Sequence, residues 1–282
     1  MQASEHSVAV NGIRTHYYAA GANGSPVVLL HGGGIDNARL SWELHIPVLA
    51  ERHRVIAPDF PGFGASDKPD IAYTMSFYGA FLRDFLDALQ IERAALCGLS
   101  MGGGVALGFA LDHPRRVEKL VLVDSYGLQR SVPFHRLSYV YIKTPLNGLS
   151  WALMRSRAVV RYSLAALLKR PGAVTDELVE QAYQEMVRPG AGRAWNGIQQ
   201  SDITWNGVRT CYLDRLGEIS APVLIVHGTK DSAVPPEWAR EAQRRIPGSR
   251  LEWMEGAGHW AQRDCPEDFN RVVSAFLDES GH

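Results

Sequence analysis

Five short apolar runs recur along the chain: VVLL from Val27, RVIA from Arg54, AALC from Ala94, KLVLVD from Lys119 and VLIV from Val223. Each is too apolar to carry a wetted face, so each is expected to be buried on both sides, as strands of a parallel sheet are. Helix-length patterns such as SFYGAFLRDFLDALQ and PEWAREAQRRI lie between the runs, and this β-α-β alternation calls for helices on both faces of the sheet. Ahead of the first run, SVAVNGIRTHYY sets Asn11-Gly12 between two alternating segments, the pattern of an antiparallel hairpin at a sheet edge. The fold class predicted is α/β, with a mostly parallel central sheet flanked by helices.

From Ala94 to Leu111 there is no charged residue, a length close to the minimum for a bilayer-spanning helix. Its glycines, at 98, 102, 103, 104 and 108, argue against a span, since each weakens a helix by up to about 1 kcal/mol relative to alanine. The stretch reads instead as a buried strand (AALC), a tight turn (GLSMG) and a helix (GGVALGFALDHP) that Pro114 keeps from continuing. No membrane partner is expected. Nucleic acid is excluded on charge, because a net −1 with no basic run or basic helix face leaves no electrostatic footprint. Cys97, Cys211 and Cys265 have neither disulfide-framework nor zinc spacing, and no apolar segment follows a basic start at the N-terminus. A reducing, cytoplasmic setting is expected.

The rhythm of strands breaks from about Ser125 to Asp214, where helical and aromatic segments are punctuated by TPLNG, RPGAV and RPGAG. This predicts a helical cap over residues 125–214, inserted into a core made of residues 1–124 and 215–282. The insert holds 11 Lys and Arg against 6 Asp and Glu, a net +5, which leaves −6 for the remainder of the −1 chain. Such asymmetry describes either a solvated helical surface or a basic lid over an anionic substrate.

Chemistry is expected at the turn. Gly98-Leu99-Ser100-Met101-Gly102 fits G-x-S-x-G between a buried strand and a helix, where a strained turn projects the serine hydroxyl above the sheet. The glycines do not follow G-x-G-x-x-G and no Lys follows them, which sets a phosphate loop aside. A serine needs a base to take its proton. His6, His16 and His282 lie near the termini, His135 in the cap, and His45, His53 and His113 in contexts typical of surface histidines. His259, in GAGHWAQ, follows an expected strand, RLEWME, at the sheet edge where open α/β folds place their sites. Two acids end strands, Asp124 after KLVLV and Asp231 in GTKDSAVPPE. Asp231 is favoured to orient the imidazole, because its loop lies just beyond a strand and then starts a helix at Pro235 or Pro236. LLHGGG, from Leu29 to Gly34, runs a strand into three glycines, and the amides of Gly33 and Met101 are expected to form an oxyanion hole. This chemistry needs neither metal nor organic cofactor, and no cluster has metal-ligand spacing.

Over essentially its whole length the sequence resembles the α/β-hydrolase superfamily, carried by HGGG, DFPGFGASDKP, CGLSMGGG, GTKDSAVPPE and GAGHWAQ in family order. The resemblance implies the α/β-hydrolase fold with an inserted helical cap. HGGG, GHWAQ and the closing FNRVVSAFL are similar to the meta-cleavage-product hydrolases, which split carbon–carbon bonds in vinylogous diketones. That likeness implies that Trp260 forms an aromatic wall beside the acyl group, with Gly34 and Leu99 also at the substrate. Leu99 stands where those enzymes usually carry Asn. Near Ala182 their cap arginine, which holds the dienoate end of the substrate, is missing, with Arg188 or Arg193 as substitutes. DFPGFGASDKP also resembles haloalkane dehalogenases and epoxide hydrolases, whose nucleophile is an aspartate, and Ser100 disfavours their alkyl-enzyme route.

The leading expectation is a serine hydrolase of carboxylic esters with small to medium acyl chains. Cleavage of a carbon–carbon bond in a diketone is the alternative. An alternative of another class is a small-molecule receptor with slow turnover, signalling through an apolar cap surface that includes Tyr139, Tyr141, Trp151 and Tyr162. Monomer and homodimer both stay open.

Overall fold

The structure, a computed structural model, describes residues 3–153 and 155–279, and His282 lies outside them. Eight strands form one sheet: β1 (Ser4–Val10), β2 (Ile13–Ala20), β3 (Pro26–Leu30), β4 (Arg54–Pro58), β5 (Ala94–Leu99), β6 (Val117–Val123), β7 (Val223–Gly228) and β8 (Arg250–Met254). Their spatial order is β1-β2-β4-β3-β5-β6-β7-β8, antiparallel at β1-β2 and β2-β4 and parallel elsewhere. The five apolar runs are β3 to β7, and the hairpin sits at the edge. Its turn residues Asn11 and Gly12 have φ of 49° and 80°, the left-handed geometry a two-residue hairpin loop needs.

Alternate side chains of a strand point to opposite faces, so the parallel strands build two cores. Val28, Leu30, Leu96, Leu122 and Ile225 meet Tyr78, Phe81 and Phe85 of α3 (Met75–Ala88), together with α4 (Met101–Asp112) and α10 (Pro236–Arg245). On the other face Val27, Leu29, Cys97, Val121 and Val226 meet α1 (Ala38–Trp42), α2 (Ile46–Leu49), α11 (Ala261–Asp264) and α12 (Pro266–Asp278), with Trp42 and Phe269 fully buried. Each such aliphatic or aromatic side chain contributes roughly 1.5–3 kcal/mol on burial.

The uncharged stretch is β5, a one-residue turn and α4. Every residue of α4 from Met101 to Leu111 is buried, so this helix has no wet face to which a charge belongs. Its glycines let it lie close to the sheet: a β-carbon on Gly102 would come within 2.3 Å of the Leu30 carbonyl oxygen, and one on Gly103 within 2.4 Å of Ser125 Oγ.

Between β6 and β7 the chain leaves the sheet for α5 (His135–Lys143), α6 (Pro145–Leu153), α7 (Arg157–Leu167), α8 (Asp176–Val187) and α9 (Arg193–Asp202). Val179 and Ala182 of α8 join the core beneath α1, while Ala194 and Ile198 of α9 join the other core. No helix among the described residues is long and apolar enough to cross a membrane.

Candidate active site

Ser100 occupies the turn between β5 and α4 with φ 49° and ψ −112°, a conformation a non-glycine residue holds only when its surroundings enforce it. They do so through backbone bonds: the Ser100 N–H donates to the Val123 carbonyl at 2.8 Å, and the Ser100 carbonyl accepts from Gly104 and Tyr126 N–H. Gly98 is required beside it, because a β-carbon there would lie 2.4 Å from the Gly102 carbonyl oxygen.

His259 and Asp231 reach this hydroxyl from the ends of β8 and β7. His259 Nε2 is 2.9 Å from Ser100 Oγ, and its Nδ1 is 2.8 Å from Asp231 Oδ2. The second Asp231 oxygen accepts from the N–H groups of Ala233 and Val234, which aims the carboxylate. Burial opposes charge on both partners. Even so, the negative Asp231 and its hydrogen bond hold the His259 pKa above its usual 6.5, and His259 in turn holds Asp231 below the usual carboxylate range.

Asp124, the competing acid, is committed elsewhere: its two oxygens accept from Gly228 N–H at 2.8 Å and Ala261 N–H at 3.0 Å. It ties the end of β7 to the segment just after His259, and burial together with the nearby Asp231 pushes its carboxyl well up. His227 also stands here, donating from Nε2 to the Val234 carbonyl at 2.9 Å. Although Asp124, His227 and Asp231 converge, each carboxylate oxygen already accepts a hydrogen bond.

The glycine loop after β3 is braced by two residues that sequence reasoning overlooked. His31 accepts from Phe60 N–H at its Nε2 and donates from Nδ1 to the Gly32 carbonyl. Asp36, buried, accepts from Gly32 N–H at 2.7 Å and from the Ser41 hydroxyl at 2.6 Å. An acid just past a glycine-rich loop is a turn signal that sequence alone offers. Gly34 takes φ 76°, and Gly33 faces Trp195 of α9. Met101 begins α4, where a helix N–H has no intrahelical acceptor.

Ser100 and His259 lie where two lobes of a cavity meet, of about 390 and 460 Å³, with Trp195 and Gln199 shared between them. Met101, Tyr126, Ile142 and Asp202 line the first, and Gly33, Gly34, Trp151, Tyr162 and Trp260 line the second. Asp202 is 4% exposed and accepts from Thr210 N–H and hydroxyl and from the Tyr126 hydroxyl, so the first lobe carries a carboxylate in its wall. His259 N–H donates to the Leu167 carbonyl of α7 at 2.8 Å. Asp264 accepts from Gly258, Lys169 and Arg170 N–H, which fastens the inserted helices to the histidine loop.

Several expectations need correction. Leu99 does not touch the cavity: it is fully buried in the core behind Gly32, because the residue before the turn points to the opposite face from Ser100. No Lys or Arg lines either lobe among the described residues, which overturns the basic lid. The cations pair outward instead, as Arg157 does with Glu180 and Arg161 with Asp176. Arg188 pairs with Glu185 and Arg193 donates to the Lys68 carbonyl, neither lines the cavity in the place of a cap arginine, and Ala182 is in the core. His45 and His53 are buried rather than on the surface, with His45 bonded to Asn270.

The chain belongs to the α/β hydrolase fold family, whose model matches residues 26–265. It is a hydrolase. The 2-hydroxymuconate semialdehyde hydrolase of Pseudomonas sp. strain CF600 is 34% identical over 95% of this chain and 92% of its own length. A meta-cleavage product hydrolase from Pseudomonas fluorescens IP01 has the same fold at a TM-score of 0.84 and 30% identity, covering 98% of each chain. The carboxylesterase CesB from Bacillus subtilis is similar in fold, with a TM-score of 0.81 at 24% identity, covering 100% of this chain and 93% of its own.

Proposed function

We propose that the protein hydrolyses carboxylic esters with uncharged acyl groups of small to medium size, through an acyl-enzyme on Ser100. His259 takes the hydroxyl proton as Ser100 Oγ attacks the carbonyl carbon, and Asp231 stabilises the imidazolium so formed. The amides of Gly33 and Met101 receive the oxyanion, His259 returns the proton to the departing alkoxide, and water activated by the same imidazole releases the acid. Residues 125–214 act as the cap that closes the cavity over this chemistry.

The observation that carries the substrate class is the charge of the cavity wall: no cation among the described residues, and the carboxylate of Asp202. An anionic dienoate would enter with its charge uncompensated, at a cost of several kcal/mol in a dry site. Carbon–carbon cleavage is the second reading, favoured by the full-length likeness to the 2-hydroxymuconate semialdehyde hydrolase and by Trp260 in the second lobe. A receptor role has less support, since Tyr141, Trp151 and Tyr162 line the cavity and Tyr139 packs on Trp205. All three cysteines are free, in keeping with the reducing cytoplasm proposed for the chain.

Labelling with a fluorophosphonate tests the nucleophile. Wild type is expected to label and to turn over p-nitrophenyl esters, and Ser100→Ala to lose both with its circular dichroism unchanged. Undiminished labelling of the variant contradicts the assignment.

A further inference from the structure

From Ser125 to Thr175 the sequence holds eight Lys and Arg residues, between Arg130 and Arg170, and no Asp or Glu. The same segment carries most of the large apolar side chains that the fold leaves in solvent, and the most exposed of them: Phe134 is 84% exposed, Leu137 70%, Leu149 58%, and Leu146 and Leu153 57%. α6 has no charged residue at all. Asn147, Ser150 and Trp151 on its inner side line the cavity, while Leu146, Leu149 and Leu153, spaced three and four apart, share its outer side. α5 repeats the arrangement, with Ser138 and Ile142 inward and Leu137 and Val140 outward. A surface helix ordinarily turns charge to water, so a roof that is apolar on its outer side marks a contact surface.

We propose that the outer face of α5 and α6 seats on an anionic phospholipid bilayer, with its leucines at the headgroup–acyl boundary and the neighbouring cations on lipid phosphates. Charge selects this occupant. Arg136, Lys143 and Arg155 have no acidic partner among the described residues, and an anionic leaflet supplies one. A second copy does not, because a two-fold contact would set this acid-free face against itself. Both helices are nine residues long, suited to lying in the interface and too short to span it. The absence of a spanning segment led to the expectation of no membrane partner, and a surface-lying pair of helices leaves no such segment in a sequence. Tyr141 and Tyr162 both line the cavity and reach solvent, at 37% and 78% exposure, so the cavity mouth adjoins the seated face. An apolar substrate dissolved in the bilayer then reaches Ser100 beside the roof. The docking stands whichever bond the enzyme cuts.

Co-sedimentation of the full chain with vesicles decides the matter. Binding to vesicles containing phosphatidylglycerol is expected, with much weaker binding to pure phosphatidylcholine and a loss at high salt. Leu146→Ser with Leu149→Ser, and separately Arg136→Gln with Lys143→Gln, are each expected to weaken that binding about tenfold or more. Turnover of a soluble short-chain ester should be unchanged in both, which shows the fold intact. No binding of wild type to the anionic vesicles, or equal binding by both variants, overturns the proposal. So does a wild-type dimer in sedimentation velocity that the leucine substitutions disperse, since it would make a second copy the occupant.

Discussion

Trp195 of α9 lies so close to Gly33 that a β-carbon on that glycine would come within 2.2 Å of its ring. An inserted helix and the proposed oxyanion loop are thereby fitted to each other. Gly33→Ala has to move either the indole or the amide, and loss of one oxyanion donor costs about 100- to 1000-fold in rate. The expected result is a fall of that order in kcat for a p-nitrophenyl ester, partly restored by adding Trp195→Ala. A fully active Gly33→Ala enzyme would contradict the role given to this amide.

The two acids separate into different phenotypes. Asp231→Asn is expected to lower kcat by about four orders of magnitude, because an amide no longer fixes the imidazole tautomer. Asp124→Asn turns an NH2 group toward Gly228 or Ala261 N–H, leaving a buried donor unsatisfied at about 1–3 kcal/mol. A lowered Tm with kcat within about tenfold of wild type is expected for it. Kinetics and thermal melts of both variants check the division, and the reverse pattern would move the catalytic acid to β6.

The acid limb of the pH profile follows from His259. Only the neutral imidazole can take the serine proton, and Asp231 holds the folded pKa above 6.5. Ester kcat/KM should therefore fall with decreasing pH through a midpoint above 6.5. Asp231→Asn weakens the hydrogen bond and removes the largest of the charges that raise this pKa, leaving burial, which lowers it, against the smaller effects of Asp124 and Asp36, so the midpoint should shift down. An unmoved midpoint in the variant would separate the limb from His259.

Gln199 lies where the two lobes meet, which makes it the place to supply the missing cation. Gln199→Arg is expected to raise kcat/KM for a carboxylate-bearing substrate relative to a neutral ester, by about tenfold or more over the wild-type ratio. A ratio that stays at the wild-type value would show that charge in the cavity does not set substrate choice.

Much of this architecture was legible because it is local. Runs such as VVLL and VLIV report strands wet on neither face, and GLSMG reports a turn whose glycines make room for the Leu30 and Gly102 carbonyls. Ser100, His259 and Asp231 could be chosen because each follows a strand at the same sheet edge. Trp195, Asp202 and the outward pairing of Arg157 were not legible. They depend on how the inserted helices dock, and helix periodicity shows which residues share a face but not which face meets the cavity. Leu99 was misjudged for a related reason: next to the nucleophile in sequence, it is on the opposite face of β5.

The central claim, a neutral ester substrate, is tested most directly by measuring kcat/KM side by side for p-nitrophenyl esters of short and medium acyl chains and for a dienone ring-cleavage product. A margin of at least about tenfold in favour of the best ester is predicted, equivalent to about 1.4 kcal/mol of transition-state energy. A dienone turned over as efficiently as the best ester, or more so, would contradict it and assign the cavity to carbon–carbon cleavage.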